Sequence, residues 1–461
     1  MPRLARNARL GQTVLRLSTR RLTACLAAPA LAASAWIAGP AFAQADAPQP
    51  PQAACACGAD AQNVARGPHG CFPQEQPAID VALLLDTSNS MDGLIHQAKA
   101  QLWGVVGEFA KAHKHGQAPR LRVALFEYGN NSLPASEGYI RQVTPLTSDL
   151  DALSEALFSL TTNGGDEYCG QVIDQALTRL DWSNQPGAYK AIFIAGNEPF
   201  TQGSVDYRDA CNRAIQTGVV VNTIHCGASQ AGATGMWGHA AQLAEGRSLN
   251  INQDETRTVH LETPHDHKLI QLNAELNKTY LFFGDVEARD RFERNQVAQD
   301  ANAEGLGLAV AAQRTATKAS AVYRQAGRDL VDAMAANPEV LASLEDEALP
   351  APVAALPAEE RVVYVQSMAT QRADLQRQIA ELTQLRDGFL VEARRELAES
   401  PDAPGATLGE ALISSAQAQL AEAGFAPETP QAPETPQAPD APKETSDTPS
   451  TPNKPATQAG G

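Results

Sequence analysis

Basic charge is what this chain is short of. Across 461 residues, 36 Lys and Arg stand against 53 Asp and Glu, and the formal balance is −17. Six of those cations, Arg3, Arg6, Arg9, Arg16, Arg20 and Arg21, fall within the first 43 residues, which hold no acid. Without them 30 bases face 53 acids, a balance of −23. A surface this acidic repels phosphate, which excludes non-specific nucleic-acid binding, and it attracts divalent cations. Familiar catalytic spacings are also missing: there is no Gly-x-Ser-x-Gly elbow, no P-loop and no His-Glu-x-x-His. After residue 43 no run approaches the roughly 18 apolar residues that would span a membrane.

The amino terminus carries the one long apolar run, from about Leu22 to Ile37, behind a basic stretch that ends at Arg21. Ala41-Phe42-Ala43 follows, a small-x-small cleavage pattern before Gln44. Residues 1–43 therefore read as a signal peptide cleaved near Ala43, and the mature chain as periplasmic or secreted. Thr19-Arg20-Arg21 keeps the twin-arginine route open beside the general one. Leu22-Thr23-Ala24-Cys25 lies before the apolar run, which argues against a lipid-attachment box. Cys25 leaves with the signal, and Cys55, Cys57, Cys71, Cys169, Cys211 and Cys226 remain. An even number in an oxidising compartment predicts up to three disulfides, and Cys211 and Cys226 are placed to meet across one strand–helix unit. A metal or redox role for Cys55-Ala56-Cys57 is the alternative, but no second matching pair accompanies it.

The most informative stretch runs from Ile79 to Met91. Val81 to Leu85 is an apolar run suited to a strand buried on both faces. The sequence then switches to Asp86-Thr87-Ser88-Asn89-Ser90. A helical pattern follows from about Asp92 to His113, with Leu94, Ile95, Ala98, Leu102, Val105, Val106 and Phe109 on one side. An acid and two hydroxyls spaced by two are thus set on a loop at the carboxyl end of a central strand, where ligands bind in open α/β sheets. Asp86, Ser88 and Ser90 offer hard oxygens suited to Mg²⁺, Mn²⁺ or Ca²⁺, and three ligands leave other coordination positions free. The competing reading is that Asp86 and Ser88 only cap the helix.

Asp86-x-Ser88-x-Ser90 after an aliphatic strand resembles the first segment of the metal-ion-dependent adhesion site of von Willebrand factor type A (VWA) domains. The resemblance spans roughly residues 76 to 285. It implies an α/β fold, a doubly wound, mostly parallel, Rossmann-like sheet. It also implies a divalent cation, Mg²⁺ or else Mn²⁺ or Ca²⁺, that captures a carboxylate offered by a protein partner. A second loop, Thr161-Thr-Asn-Gly-Gly-Asp-Glu-Tyr-Cys-Gly170, resembles a variant with Gly-Gly-Asp where many members supply a threonine. The ligand role carries to Asp166, with Thr161 and Thr162 as alternative donors; an acidic helix start explains Asp166 and Glu167 equally well. A third loop, Gly196-Asn197-Glu198-Pro199, has Asn197 where members usually place an aspartate. That departure lowers the ligand charge and predicts weaker cation affinity, with Glu198 close by.

The remaining segments are read in chain order. Residues 44–78 form a Pro- and Cys-rich lead-in, and residues 79–285 the VWA-like domain. Within it strands are predicted at Arg120–Tyr128, Tyr139–Val143 (an edge), Tyr189–Ala195, Val219–His225 and Ser248–Asn252. Helices are predicted at Leu150–Leu160, from the second loop to Leu180, at 204–217 and from His265 to Leu276. Gly227 to Gly238 reads as a loop, with Trp237 a core residue. His260, His265 and His267, with His225 or His239, are a conceivable zinc set, though His265 and His267 diverge on a helix. Residues 289–400 read as a helical extension. Ala358 to Leu397 in it carries the apolar stripe Val362, Val363, Val365, Met368, Leu375, Ile379, Leu382, Leu385 and Phe389. That stripe suits either a coiled-coil seam between copies, a homo-oligomer, or a hairpin folded back on the preceding helices. Residues 424–461 repeat Ala-Pro-Glu-Thr-Pro-Gln, and their composition predicts a disordered tail.

Three functions follow as expectations. The first is a non-catalytic adhesion or scaffold protein acting through a bound cation. The second is a metal-dependent hydrolase using the same loops. The third is a structural envelope protein whose metal site has degenerated at Asn197.

Overall fold

The computed structural model describes residues 76–252, 261–399, 407–427 and 460. All belong to one compact unit, Pro73–Gly461. The expected signal peptide, most of the lead-in with Cys55, Cys57 and Cys71, His260, and the tail from 428 onward (apart from Gly460) lie outside the described residues.

Strand β1, Ala78–Asp86, is the centre of the sheet. Ile79, Val81 and Leu85 face one layer of the core, and Ala82 and Leu84 face the other. This two-sided burial is why the run is continuously apolar. Helix α1, Asp92–Ala110, packs on the first face. It ends three residues before the predicted His113, because Ala112–His113 turns into a short strand, β2. Strand β3, Arg120–Tyr128, and edge strand β4, Ile140–Thr147, follow. Next come helix α2, Leu150–Phe158, helix α3, Cys169–Arg179, and strand β5, Tyr189–Gly196. Helix α4, Tyr207–Gln216, leads to strand β6, Val220–Cys226. The predicted loop at 227–238 is in fact helical: α5 covers Ser229–Thr234, and α6, Trp237–Leu243, begins at a Trp237 that is 1% exposed. Strand β7, Ser248–Ile251, ends the sheet.

The strand order is β4-β3-β1-β5-β6-β7, and every pairing except β3–β4 is parallel. It is a doubly wound, mostly parallel sheet. The chain leaves β1 in opposite directions towards β3 and β5, so β1 stands at the topological switch point. Helices α3, α4 and α6 cover the second face.

The helical extension is built on the first face. Helix α7, Asp266–Asn277, starts at Asp266, whose carboxylate accepts from the Thr263 backbone and hydroxyl. Helices α8, Val286–Gly305, α9, Leu308–Ala319, and α10, Leu330–Ala336, replace the single helical stretch expected from the composition. After a single turn, α11 at Ala351–Ala354, helix α12 runs unbroken over Ala358–Ala398. It folds back on its own chain: Val365, Leu375 and Ile379 are buried, while Val362, Val363, Leu385 and Phe389 remain exposed. Of the two readings of the stripe, the hairpin is the one present within this chain.

Helix α13, Leu408–Glu422, has no counterpart in the sequence reading. A capping box between Thr407 and Glu410 starts it, and Leu408, Leu412 and Leu420 join the core under α1. Its Gln419 exchanges hydrogen bonds with Asn222 at 2.8 and 3.0 Å and accepts from Tyr189 at 2.8 Å. The chain then pairs Ala426–Pro427, strand β8, antiparallel to β2. The folded region therefore reaches Pro427, with Phe425 buried, rather than stopping at 424.

Cys169, Cys211 and Cys226 are free and buried. The proposed Cys211–Cys226 bridge does not form, because Cys211 packs in the core on one face of the sheet and Cys226 on the other. Among the described residues no helix is long and apolar enough to cross a membrane.

Candidate functional site

Three loops meet at the carboxyl ends of β1, β3 and β5. The first follows β1, and Asp86 itself is its opening residue, fully buried. One oxygen, Oδ1, accepts from the Ser88 backbone N–H at 2.8 Å. The other, Oδ2, is buried without a hydrogen-bond partner. Ser88 and Ser90 lie hydroxyl to hydroxyl at 3.2 Å. Thr87, between them, turns the other way and donates to Glu127 and to the Tyr128 carbonyl, both at 3.2 Å, which fixes the loop to β3. The spacing by two thus sorts the side chains, with Asp86, Ser88 and Ser90 on the site and Thr87 on the scaffold.

The loop after β5 brings Asn197 to the same place. Its Nδ2 donates to Ser90 Oγ at 3.1 Å, and its Oδ1 is buried without a partner. Glu198 follows and accepts from Gln202 at 3.0 Å.

The loop between α2 and α3 lies across the ends of β1 and β3. Asn163 donates its backbone N–H to the Thr87 carbonyl at 2.9 Å, and Asn131 donates to the Gly164 carbonyl at 3.0 Å. Gly165 permits this contact: a Cβ there would sit 2.6 Å from the Gly129 carbonyl oxygen. Of the two acids that follow, Asp166 is exposed and accepts from the Tyr168 hydroxyl at 3.1 Å. Glu167 turns inward and is 7% exposed. Its Cγ and Asp86 Oδ1 converge beside Gly129, where a Cβ would meet them at 2.8 and 2.9 Å; Gly129 also holds a left-handed φ of 80°. The Thr161 carbonyl accepts from Asn130, and the Thr162 hydroxyl donates to Asp92 at the start of α1. The structure therefore gathers Asp86, Ser88, Ser90 and Asn197, adds Glu167 and Glu198, and leaves Asp166 on the outside.

Glu167 is the member that the sequence reading missed. Glu167 and Cys169 are both buried while Tyr168 between them is half-exposed, an in–out–in alternation through an extended Tyr168 (φ −95°, ψ 78°). The position of Cys169 as the first buried residue of α3 is the signal that assigns the inward direction to Glu167.

The electrostatics match this crowding. Burial pushes the Asp86 carboxyl up to about 6; Ser88 and the nearby Asn197 backbone favour its charged form, and Glu198 pushes it up again. Burial pushes Glu167 up to about 8, helped by Asp86 and Glu198, while the Ser88 hydroxyl favours its charged form. No basic side chain is among the main causes of either shift.

A divalent cation fits these residues. Two buried oxygens without partners, two adjoining hydroxyls and carboxylates held close together with no counter-charge form a hard-oxygen donor set. Among the described residues no group of three or more His, Cys, Asp or Glu is arranged to hold a metal, so hydroxyl and amide oxygens would have to complete any cation site here. His225 bonds Asn250 at 2.8 Å, and His239 bonds Tyr207 at 2.9 Å. His265 sits at the cap of α7.

Residues 80–242 match the model of the von Willebrand factor type A domain. No curated protein matches the chain. Among solved structures it is similar to proximal thread matrix protein 1 from the mussel byssus with a zinc-occupied metal-ion-dependent adhesion site motif. That match has 14% identity over 39% of this chain and 43% of that one, with a TM-score of 0.30. It is also similar to the conserved hypothetical protein BatB from Bacteroides thetaiotaomicron, at 19% identity over 39% and 93%, with a TM-score of 0.30. A third is a von Willebrand factor type A protein from Catenulispora acidiphila, at 17% identity over 39% and 40%, with a TM-score of 0.29. A second mussel structure, likewise, is matched over only 44% of its own length.

Proposed function

We propose, from the match of residues 80–242 to the von Willebrand factor type A (VWA) domain, that this protein is an exported, non-catalytic binding module. It holds a divalent cation at the carboxyl edge of its sheet and recognises a protein partner through it. Asp86 supplies the formal charge, Ser88 and Ser90 the hydroxyls, and Asn197 an amide oxygen; the ion, when bound, offers a Lewis-acidic position for a partner's carboxylate. The observation that carries this reading is the unpartnered Asp86 Oδ2, fully buried beside two hydroxyls and an equally unpartnered Asn197 Oδ1. Buried polar atoms without partners are rare, and a ligand explains this pair better than packing does. The basic, then apolar, leader expected over 1–43 supports export. The site holds no histidine or lysine positioned as a base, which favours binding over hydrolysis.

Calorimetry with Mg²⁺, Mn²⁺ and Ca²⁺ on the full chain and on Asp86→Ala tests the reading. Saturable uptake by the wild type, absent in the variant, is the expected result. No uptake at millimolar concentration would overturn it in favour of a structural envelope role. Ester or phosphate hydrolysis that Asp86→Ala abolishes would favour the hydrolase.

A further inference from the structure

We propose that the partner's carboxylate comes from a segment in which Lys or Arg flanks it, and that the exposed Asp166 carboxylate, held by Tyr168, receives one of those basic side chains. This rests on the cation reading above and names the class of partner: a basic protein segment carrying a single acidic side chain, not an acidic tract.

The distribution of charge at the sheet edge carries it. Among the described residues, the loops at 87–91, 129–139, 159–168, 197–206 and 227–228, which leave or cover the carboxyl ends of β1, β3, β5 and β6, contain no Lys or Arg. They do contain Glu137, Asp166, Glu167, Glu198 and Asp206, while Asp86 closes β1 and Asp92 opens α1 beside them. Three bases on the adjoining elements β4, α3 and α4 are already paired: Arg141 with Glu127, Arg179 with Glu137 at 3.1 Å, and Arg208 with Asp206 at 3.4 Å. Asp92 is bonded by the Thr162 hydroxyl, Asp166 by Tyr168 and Glu198 by Gln202; among the described residues no base pairs with these acids, with Asp86 or with Glu167. Independently of this charge, the fully buried Asp86 Oδ2 without a partner points to a ligand at the centre of the edge.

Five carboxylates, Asp86, Asp92, Asp166, Glu167 and Glu198, around one divalent cation leave the edge three charges negative. A partner's carboxylate is drawn by the ion but repelled by Asp92, Asp166 and Glu198, and like charges brought together reject wrong partners. Basic neighbours of that carboxylate turn the repulsion into attraction. An acidic tract gains nothing, because its further carboxylates have no cation to meet. Asp166 is the place for a basic neighbour: it is exposed, the Tyr168 hydroxyl donates to it at 3.1 Å, and the half-exposed Tyr168 ring lies 6.1 Å from that of Tyr139. A carboxylate standing on a tyrosine pair offers an ammonium or guanidinium both a counter-charge and an aromatic surface.

The test titrates end-blocked Lys-Lys-Glu-Lys-Lys, Gly-Gly-Glu-Gly-Gly and Lys-Lys-Gln-Lys-Lys into the full chain with Mn²⁺, and follows Mn²⁺ uptake by calorimetry in the same samples. The first peptide should bind at least about tenfold tighter than either of the others. Its preference over the second should shrink as ionic strength rises, and chelation should remove its advantage over the third. D166N should reduce the preference for the first peptide over the second by about threefold, and D166K should abolish it; D166N serves alone if D166K does not fold. Equal binding of the first two peptides, or a preference that the Asp166 variants leave unchanged, would overturn the inference while leaving the cation reading intact. Lys-Lys-Gln-Lys-Lys binding as tightly as Lys-Lys-Glu-Lys-Lys would overturn it too, because the carboxylate then does not reach the ion. A wild type that takes up no Mn²⁺ would overturn both readings.

Discussion

Two clusters of buried acids in this molecule are built from the same residue types and behave in opposite ways. At the sheet edge, Asp86, Glu167 and Glu198 crowd together with no cation among them, and the Asp86 carboxyl is pushed up to about 6. Where the helical extension meets α2, Asp151 and Asp300 are buried against Arg314 and Lys318. Arg314 bonds Asp151 at 2.9 Å and Asp300 at 2.5 Å, and Lys318 reaches Asp300 at 3.1 Å. Burial pushes Asp300 up, but Arg314 and Lys318 outweigh it and hold it at about 2. The second cluster has its counter-charges within the chain and acts as a joint. The first lacks them, which is the difference expected between the proposed cation site and a set of structural ion pairs.

The largest test of this contrast is Arg314→Met. It strips the joint of its central cation and leaves two buried carboxylates uncompensated, so a loss of about 3–5 kcal/mol in denaturant unfolding is expected. If stability stays within 1 kcal/mol of wild type, roughly the scale of a surface ion pair, the joint is not the paired network described. Stability against pH separates the clusters next. A carboxyl raised in the folded state contributes most below its ordinary value and loses that contribution as pH climbs through the raised value. For Asp86 the window runs from about 4 to 6, and Glu167 extends it towards 8. The Asp86 part is on the order of 3 kcal/mol. Asp300, held low, works in reverse: its stability is present above about 4 and is lost as pH falls towards 2. Thermal melts of chelated protein should therefore decline on both sides. Millimolar Mg²⁺ or Mn²⁺ should cancel the decline between pH 6 and 8 and leave the acid side unchanged. A neutral-side decline that no cation reverses would remove the difference between the clusters.

Asn197→Asp sharpens the comparison from the other side. Adding a carboxylate at the edge should raise cation affinity by about tenfold, near 1.4 kcal/mol, and should lower the melting temperature of the chelated protein. Unchanged calorimetric affinity would place Asn197 outside the coordination sphere. The smallest effect concerns neither cluster: Thr407→Ala removes the capping-box hydroxyl of α13 and should cost about 1 kcal/mol in chemical unfolding. It should do so without changing cation uptake; a large fall in uptake would connect α13 to the edge.

Much of the fold was legible because a two-sided strand and a one-sided helix leave different apolar patterns. Val81 to Leu85 and the Leu94-to-Phe109 stripe have only one reading each. The extension was less legible, since an apolar stripe such as that of α12 looks the same whether it meets its own chain or a second copy. Helix α13 is marked in the sequence only by Thr407 and Glu410, a pair lying between Pro401 and Pro404 on one side and the Pro-rich repeat on the other. Cys211 and Cys226 were close in sequence terms, yet one sits above the sheet and one below, and spacing alone does not report the side. At the edge, residue types pointed to the loops, but which of Asp166 and Glu167 turns inward depended on one extended residue, Tyr168. A backbone angle following two glycines is not written in composition.

The short β2–β8 ribbon marks one pole of the described region. Helix α1 begins beside the Asp86 loop and runs for 19 residues, roughly 28 Å, before Ala112 pairs with Pro427. Strand β1 likewise starts at that distant pole and ends at the loops. The start of β1 and the ribbon at Pro427 thus both lie at the end remote from Asp86, and a tether attached at that end would hold the Asp86 edge outward, like a hand on an extended arm.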